Sequence, residues 1–268
     1  MLRVHTWIGL NFLILTSLLF SGCALAPKLP DLPRDANLIR GQLQIHSDFE
    51  LPQRHRLLDE LTAQRSDLTN LLDLPVSDEP INIYLFKNFE TYNKYLKHSY
   101  PEIPERRAFF VESDTKLTVY AYWGDRVAED LRHEVAHGYL HAVVPNIPLW
   151  LDEGLAEYFE MPRGHSGLNR PHLALLLDRY NEALWSPKLE RLESLTALTE
   201  MSQLEYAESW AWIHWLTESS PQRLSLLQQY LAELRLSGGA VPLSIFLRDK
   251  EPAPEQALIR HLQSFSGR

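Results

Sequence analysis

Residues 126–142 read Arg-Val-Ala-Glu-Asp-Leu-Arg-His-Glu-Val-Ala-His-Gly-Tyr-Leu-His-Ala. Val127, Leu131, Val135 and Leu140 recur at roughly helical intervals, which predicts a helix over the whole stretch. Within it, His133-Glu134-Val135-Ala136-His137 has the form H-E-x-x-H. Each helical residue advances about 100°, so the two histidines lie about 40° apart on one face. Both imidazoles can then reach a single metal ion. Glu134 stands beside them, close enough to hydrogen-bond a water on that metal without ligating it. Gly138 costs a helix about 1 kcal/mol relative to alanine, so its presence predicts the close approach of a neighbouring element.

Downstream, residues 149–158 read Leu-Trp-Leu-Asp-Glu-Gly-Leu-Ala-Glu-Tyr, within a second candidate helix over 149–160. Together the two segments resemble the gluzincin metallopeptidases, of the thermolysin and aminopeptidase-N type. In that family a second helix supplies a glutamate as third ligand, often inside W-L-x-E-G-x-A. The resemblance implies a zinc ion on His133, His137 and Glu153, with a fourth position open to water. It implies that Glu134 is the general base in peptide-bond hydrolysis. It further places Glu157, one turn after Glu153, against one of the two ligand histidines; a solvated helix glutamate is the alternative.

Tyr206-Ala207-Glu208-Ser209-Trp210-Ala211 is similar to the family's Y-E-x-G-A segment, whose tyrosine stabilises the tetrahedral intermediate. Ala207 stands where the family has glutamate, so a tyrosine that packs its own helix is the competing reading. His214 is a weaker alternative donor. His141, one turn past His137, could compete as a ligand, but the match at Glu153 assigns it a structural or surface role. Lys116 to Tyr122 corresponds to the strand that borders the cleft and pairs with extended substrate. The aminopeptidase segment G-x-M-E-N is absent from the sequence, which argues against aminopeptidase specificity. The spacing H-E-x-x-H, W-L-x-E-G-x-A, Y-x-x-S-W-A is similar to the peptidase-MA-like domain of unknown function found in bacterial proteins. That likeness implies a zincin-like α+β fold and a metal site, and it names no substrate.

The remaining elements fit this class. A strand is expected near Leu38–Ile45, a helix over Gln53–Leu72, a strand over Ile81–Phe86 and a short helix over Phe89–His98. Arg107–Val111 and Lys116–Tyr122 read as strands joined by a turn at Glu112–Thr115. From Asp125 onward helices are expected over 126–142, 149–160, 171–185, 203–218, 221–236 and 254–265, with Gly238-Gly239 as a stop. Trp210, Trp212 and Trp215 read as core. The picture is a small mixed sheet, an active-site helix and a mainly helical second half, with a cleft between them.

Composition narrows the chemistry. The chain has 268 residues, 45% hydrophobic and 23% charged, as a globular protein does. A net charge of -9 with no basic run leaves no nucleic-acid footprint. The single cysteine, Cys23, excludes an internal disulfide and a multi-cysteine zinc site.

Residues 1–22 read as an export signal: Arg3, a mostly apolar run from Trp7 to Phe20, then Leu19-Phe20-Ser21-Gly22-Cys23. The last five resemble the lipobox of bacterial lipoproteins, with Phe20 in place of the usual leucine, and imply a lipid on Cys23. Cleavage after Ala24-Leu25-Ala26, disfavoured by Pro27, and an uncleaved anchor are the other readings. Ala24 after the cysteine implies the outer membrane, facing the periplasm. Residues 23–37 are the lipidated cysteine and a Pro-rich tether, 38–124 an N-terminal α+β part, and 125–268 the active-site helix and helical remainder. The expected partners are a peptide or protein substrate and the membrane. A zinc-holding binding or scaffold lipoprotein, and a cell-wall peptide amidase, are the alternative functions.

Overall fold

The computed structural model describes residues 31–265 apart from Gln53 and Asp249. The export signal and Cys23 lie outside the described residues. Among those described, no helix is long and apolar enough to cross a membrane.

Five strands form one mixed sheet in the order β1-β2-β3-β5-β4. They are β1 (Ala36–Arg40), β2 (Leu43–Ser47), β3 (Ile81–Phe86), β4 (Ala108–Ser113) and β5 (Lys116–Tyr122). The strand expected over 38–45 is in fact a hairpin. A turn at Gly41-Gln42, with Gly41 at φ +57°, reverses the chain between β1 and β2. β2 and β3 run parallel, as do β3 and β5, so the antiparallel pairs lie at the two edges. β5 is therefore an interior strand, flanked by β3 and β4. The edge strand beside the helix that carries His133 and His137 is β4, which corrects the expectation for Lys116–Tyr122. The cause is topological: the chain lays down the edge strand first, then turns back into the sheet.

Strand alternation decides both faces of the sheet. Ile81, Ile83 and Leu85 of β3 and Leu117, Val119 and Ala121 of β5 enter the main core. On the other face Phe86, Phe109 and Tyr120 pack with Tyr92 and Leu96 of α2 (Phe89–Ser99) in a smaller aromatic cluster. The main core is closed by α1 (Arg56–Leu72) and α3 (Val127–His141). Gly138 of α3 meets the side chain of Ile81, where an added Cβ would come within 3.0 Å. That is the neighbour its presence predicts.

Then follow α4 (Leu149–Phe159), α5 (Arg170–Asn181), α6 (Leu189–Glu193), a 3₁₀ turn at Leu198–Glu200, α7 (Gln203–Glu218), α8 (Pro221–Ser237), α9 (Leu243–Arg248) and α10 (Pro254–Gln263). The expected helix over 171–185 stops at Asn181, and Ala183 takes φ +56°. Trp210, Trp212 and Trp215 of α7 are fully buried, as core residues should be. The class expected from the sequence, α+β with a helical second half, is the class the chain adopts.

α4 and α7 pack tightly. A Cβ on Gly154 would lie 2.7 Å from the backbone oxygen of Ser209, which cannot move aside without moving α7. This contact sets the distance of α4 from the rest of the core and, with it, the position of the residue before Gly154.

Candidate metal centre

That residue is Glu153. α3 puts His133 and His137 on one face, and α4 crosses beside it. His133 Nε2 and His137 Nε2 lie 3.2 Å apart. Glu153 Oε2 is 3.5 Å from the first and 3.7 Å from the second. Ligand atoms of a tetrahedral zinc with bonds of about 2.0–2.1 Å stand about 3.3–3.4 Å from each other. The three atoms thus already form one face of such a tetrahedron, and two imidazoles with a carboxylate are a donor set zinc accepts. The residues fit the ion.

The far side of each imidazole is held by a carboxylate. His133 Nδ1 is 3.3 Å from Glu160 Oε2. His137 Nδ1 is 2.9 Å from Asp152 Oδ1, at an angle off the line of a good hydrogen bond. A proton on each Nδ1 leaves each Nε2 with a lone pair facing Glu153. Asp152 is shared: its Oδ2 is 3.0 Å from His141 Nε2, and His141 Nδ1 is 2.6 Å from Glu112 Oε2 on β4.

This crowd of carboxylates demands positive charge. Burial lowers the His133 pKa, but contacts with Glu153 and Glu160 outweigh it and hold the imidazole well above its ordinary range. At His137 burial is likewise overcome, by the charges of Asp152 and Glu153. Burial raises the Glu134 carboxyl, opposed by the two histidines. A divalent cation supplies the same charge that the protonated imidazoles would, at one point.

The three ligand residues, Glu134 and Tyr206 line one cavity of about 410 Å³, bounded on its other side by the segment Glu105–Ala108 that leads into β4. Tyr206 sits in the first turns of α7. A capping box fixes that helix start, with the Glu205 side chain accepting from the Ser202 backbone 2.8 Å away. Burial, helped by the Glu153 charge, pushes the Tyr206 phenol up to about 12, so it stays a neutral donor near pH 7.

Other expectations are redistributed. Glu157 hydrogen-bonds His172 Nε2 at 2.8 Å. Glu160, just past the end of α4, meets His133 Nδ1 at 3.3 Å, and Glu157 stands beside it, with an oxygen within 4.8 Å of a His133 nitrogen. Asn169, the N-cap of α5, reaches both carboxylates at 3.5 Å. His141 lies between Glu112 and Asp152, and its ring nitrogen, with His137 and Asp152, forms a second group close enough to hold an ion. His214 lines no part of this cavity; it hydrogen-bonds His261 2.8 Å away. Sequence reasoning missed Asp152, Glu160 and Glu112. Glu160 was within reach of helical spacing, since seven residues after Glu153 is nearly two full turns and the same face. Glu112 had no sequence signal, because only the sheet brings it to α3.

Residues 127–235 match a family described as protein of unknown function (DUF1570). No curated protein matches the sequence. Among solved structures, the M1 zinc metallopeptidase from Deinococcus radiodurans is similar at 16% identity and a TM-score of 0.46, over 85% of this chain and 51% of that one. The chain thus spans about half the length of that protein.

Proposed function

We propose that the protein is a zinc-dependent metallopeptidase of the gluzincin type, anchored in the bacterial envelope by lipid on Cys23. The observation that carries the enzymatic reading is the convergence of His133, His137 and Glu153 at tetrahedral-edge distances in a cavity that also holds Glu134 and Tyr206. A zinc ion held there would lower the pKa of a coordinated water to about 7 and polarise a carbonyl.

The chain's own residues do the rest. Glu134, half-buried and raised in pKa, accepts a proton from the attacking water and returns it to the leaving amine. Tyr206 Oη donates a hydrogen bond to the oxygen on which negative charge develops. Asp152 and Glu160 hold the two imidazoles in the tautomer that presents Nε2. Three protein ligands, where a purely structural zinc takes four, favour turnover over scaffolding. The envelope assignment rests on the lipobox-like segment before Cys23.

Glu134→Gln should keep about one zinc per chain and lose about 10²- to 10⁴-fold in peptide turnover. Equal activity of the wild type and this variant on every peptide tested would leave only a zinc-holding protein. Cys23→Ala in a bacterial host should shift the chain from the membrane fraction to the soluble periplasm.

A further inference from the structure

The charges around the cavity do not all have partners within the protein. Asp130 is held by Arg107, with Nη2 2.7 Å from Oδ1. Glu157 has His172, Glu160 has His133, and Glu153 faces both ligand imidazoles. Glu105 accepts from Asn93 at 3.1 Å and lies 3.6 Å from Lys97. Glu134 is the uncommitted anion, as the proposed base must be. Arg106 is its cationic counterpart. Among the described residues it makes no ion pair, and its Nε is buried without a hydrogen-bond partner. It lines the cavity beside Glu105 and Ala108. Arg106 shares this lining with Glu134 and Tyr206, the proposed base and oxyanion donor.

Position adds direction. Among the described residues β4 pairs with β5 alone, and its other edge, beside α3, carries no strand. Phe110 of β4 stacks 5.9 Å from the His137 ring, and Ala108 lines the cavity, so the metal centre lies level with this part of the strand. Arg106 precedes Ala108 by two residues, about 7 Å of extended chain. An extended peptide added antiparallel to this edge runs toward its own C-terminus as it nears Arg106.

We infer that Arg106 is a carboxylate-binding subsite, and that the preferred substrates carry a carboxylate within about two or three residues on the C-terminal side of the cleaved bond. A guanidinium binds a carboxylate bidentately, and an unpaired one on the wall of this cavity is an incomplete pair. A chain terminus and an Asp or Glu side chain both present this group, and the test separates them. The inference takes its peptide from the hydrolase reading above, but its test reads binding.

The test uses the zinc-loaded full chain carrying Glu134→Gln, in detergent, with calorimetry of four peptides. These are acetyl-tetra-alanine as the free acid, the same peptide as the amide, and two amides with Asp or Asn at the third position. The free acid should bind about tenfold or more tighter than its amide, or the Asp amide tighter than the Asn amide, and the pattern names the source of the carboxylate. Adding Arg106→Gln should erase that difference, and Arg106→Lys should keep part of it. Zinc content and thermal midpoint confirm that each variant is folded; should Arg106→Gln not fold, the partial loss in Arg106→Lys decides. No carboxylate preference, a preference that survives Arg106→Gln, or no binding of any peptide would overturn the subsite. A preserved preference in a wild type without turnover would instead sink the hydrolase reading and leave the subsite standing.

Discussion

Two groups of histidines in this chain have opposite surroundings. His133, His137 and His141 line α3, and each faces carboxylates from another element. His214 of α7 and His261 of α10 face each other at 2.8 Å, with Trp210 and Phe265 around them. Burial lowers His141, but contacts with Asp152 and Glu112 outweigh it and take the imidazole up to about 9. Burial takes His214 down to about 3 and His261 down to about 4. Residue type is the same in both places, and burial acts in the same direction. Only the first group has anions to offset the desolvation of a cation, so only the first is built to hold one.

Removing a ligand probes this contrast most strongly. His137→Ala should abolish stoichiometric zinc, measured by metal analysis of the purified chain, whereas His261→Gln should leave it at one per chain. Zinc lost equally from both variants would erase the distinction.

A smaller effect is expected one step out from the metal. Asp152→Asn keeps the shape but removes the charge behind His137, and zinc affinity should fall about 10- to 100-fold in a chelator competition. An unchanged affinity would mean that the charge behind His137 contributes nothing to holding the metal.

The smallest effect is in the pH dependence of stability, where the two groups act with opposite sign. The folded state disfavours protonation of His214 and His261 relative to an unfolded value near 6.5. Their contribution is therefore complete above about pH 6.5 and is lost as pH falls toward 4. In the metal-free protein His141 contributes fully below about pH 6.5, and that contribution is lost as pH rises through about 9. Urea midpoints of metal-free protein should show His261→Gln flattening the acid limb and Glu112→Gln flattening the alkaline one. Both limbs unchanged would break the comparison.

Some of this was legible in the residues alone. The spacing of His133 and His137 fixes their common face because helical geometry is local, and the same holds for the buried runs of β3, β5 and α7. The hairpin at Gly41 was missed because each half is too short to alternate convincingly. The resemblance implies Glu157 against a ligand histidine, but helical spacing gives only the face, and Glu157 meets His172 while Glu160 on the same face meets His133.

By itself, then, the sequence determined which side chains of one helix could share an ion, which helix carries the third, and that the fold mixes a small sheet with a helical half. Only the tertiary structure decided that Glu153 meets the two imidazoles within 3.7 Å. It also decided that β4 is the free edge, and that Asp130, Glu157 and Glu160 are matched while Arg106 is not. The physical reason is range. Helical phase and strand alternation are set by neighbours within a few residues. Coordination distances and charge pairing depend on how elements far apart in the chain pack, through contacts such as Gly154 against Ser209.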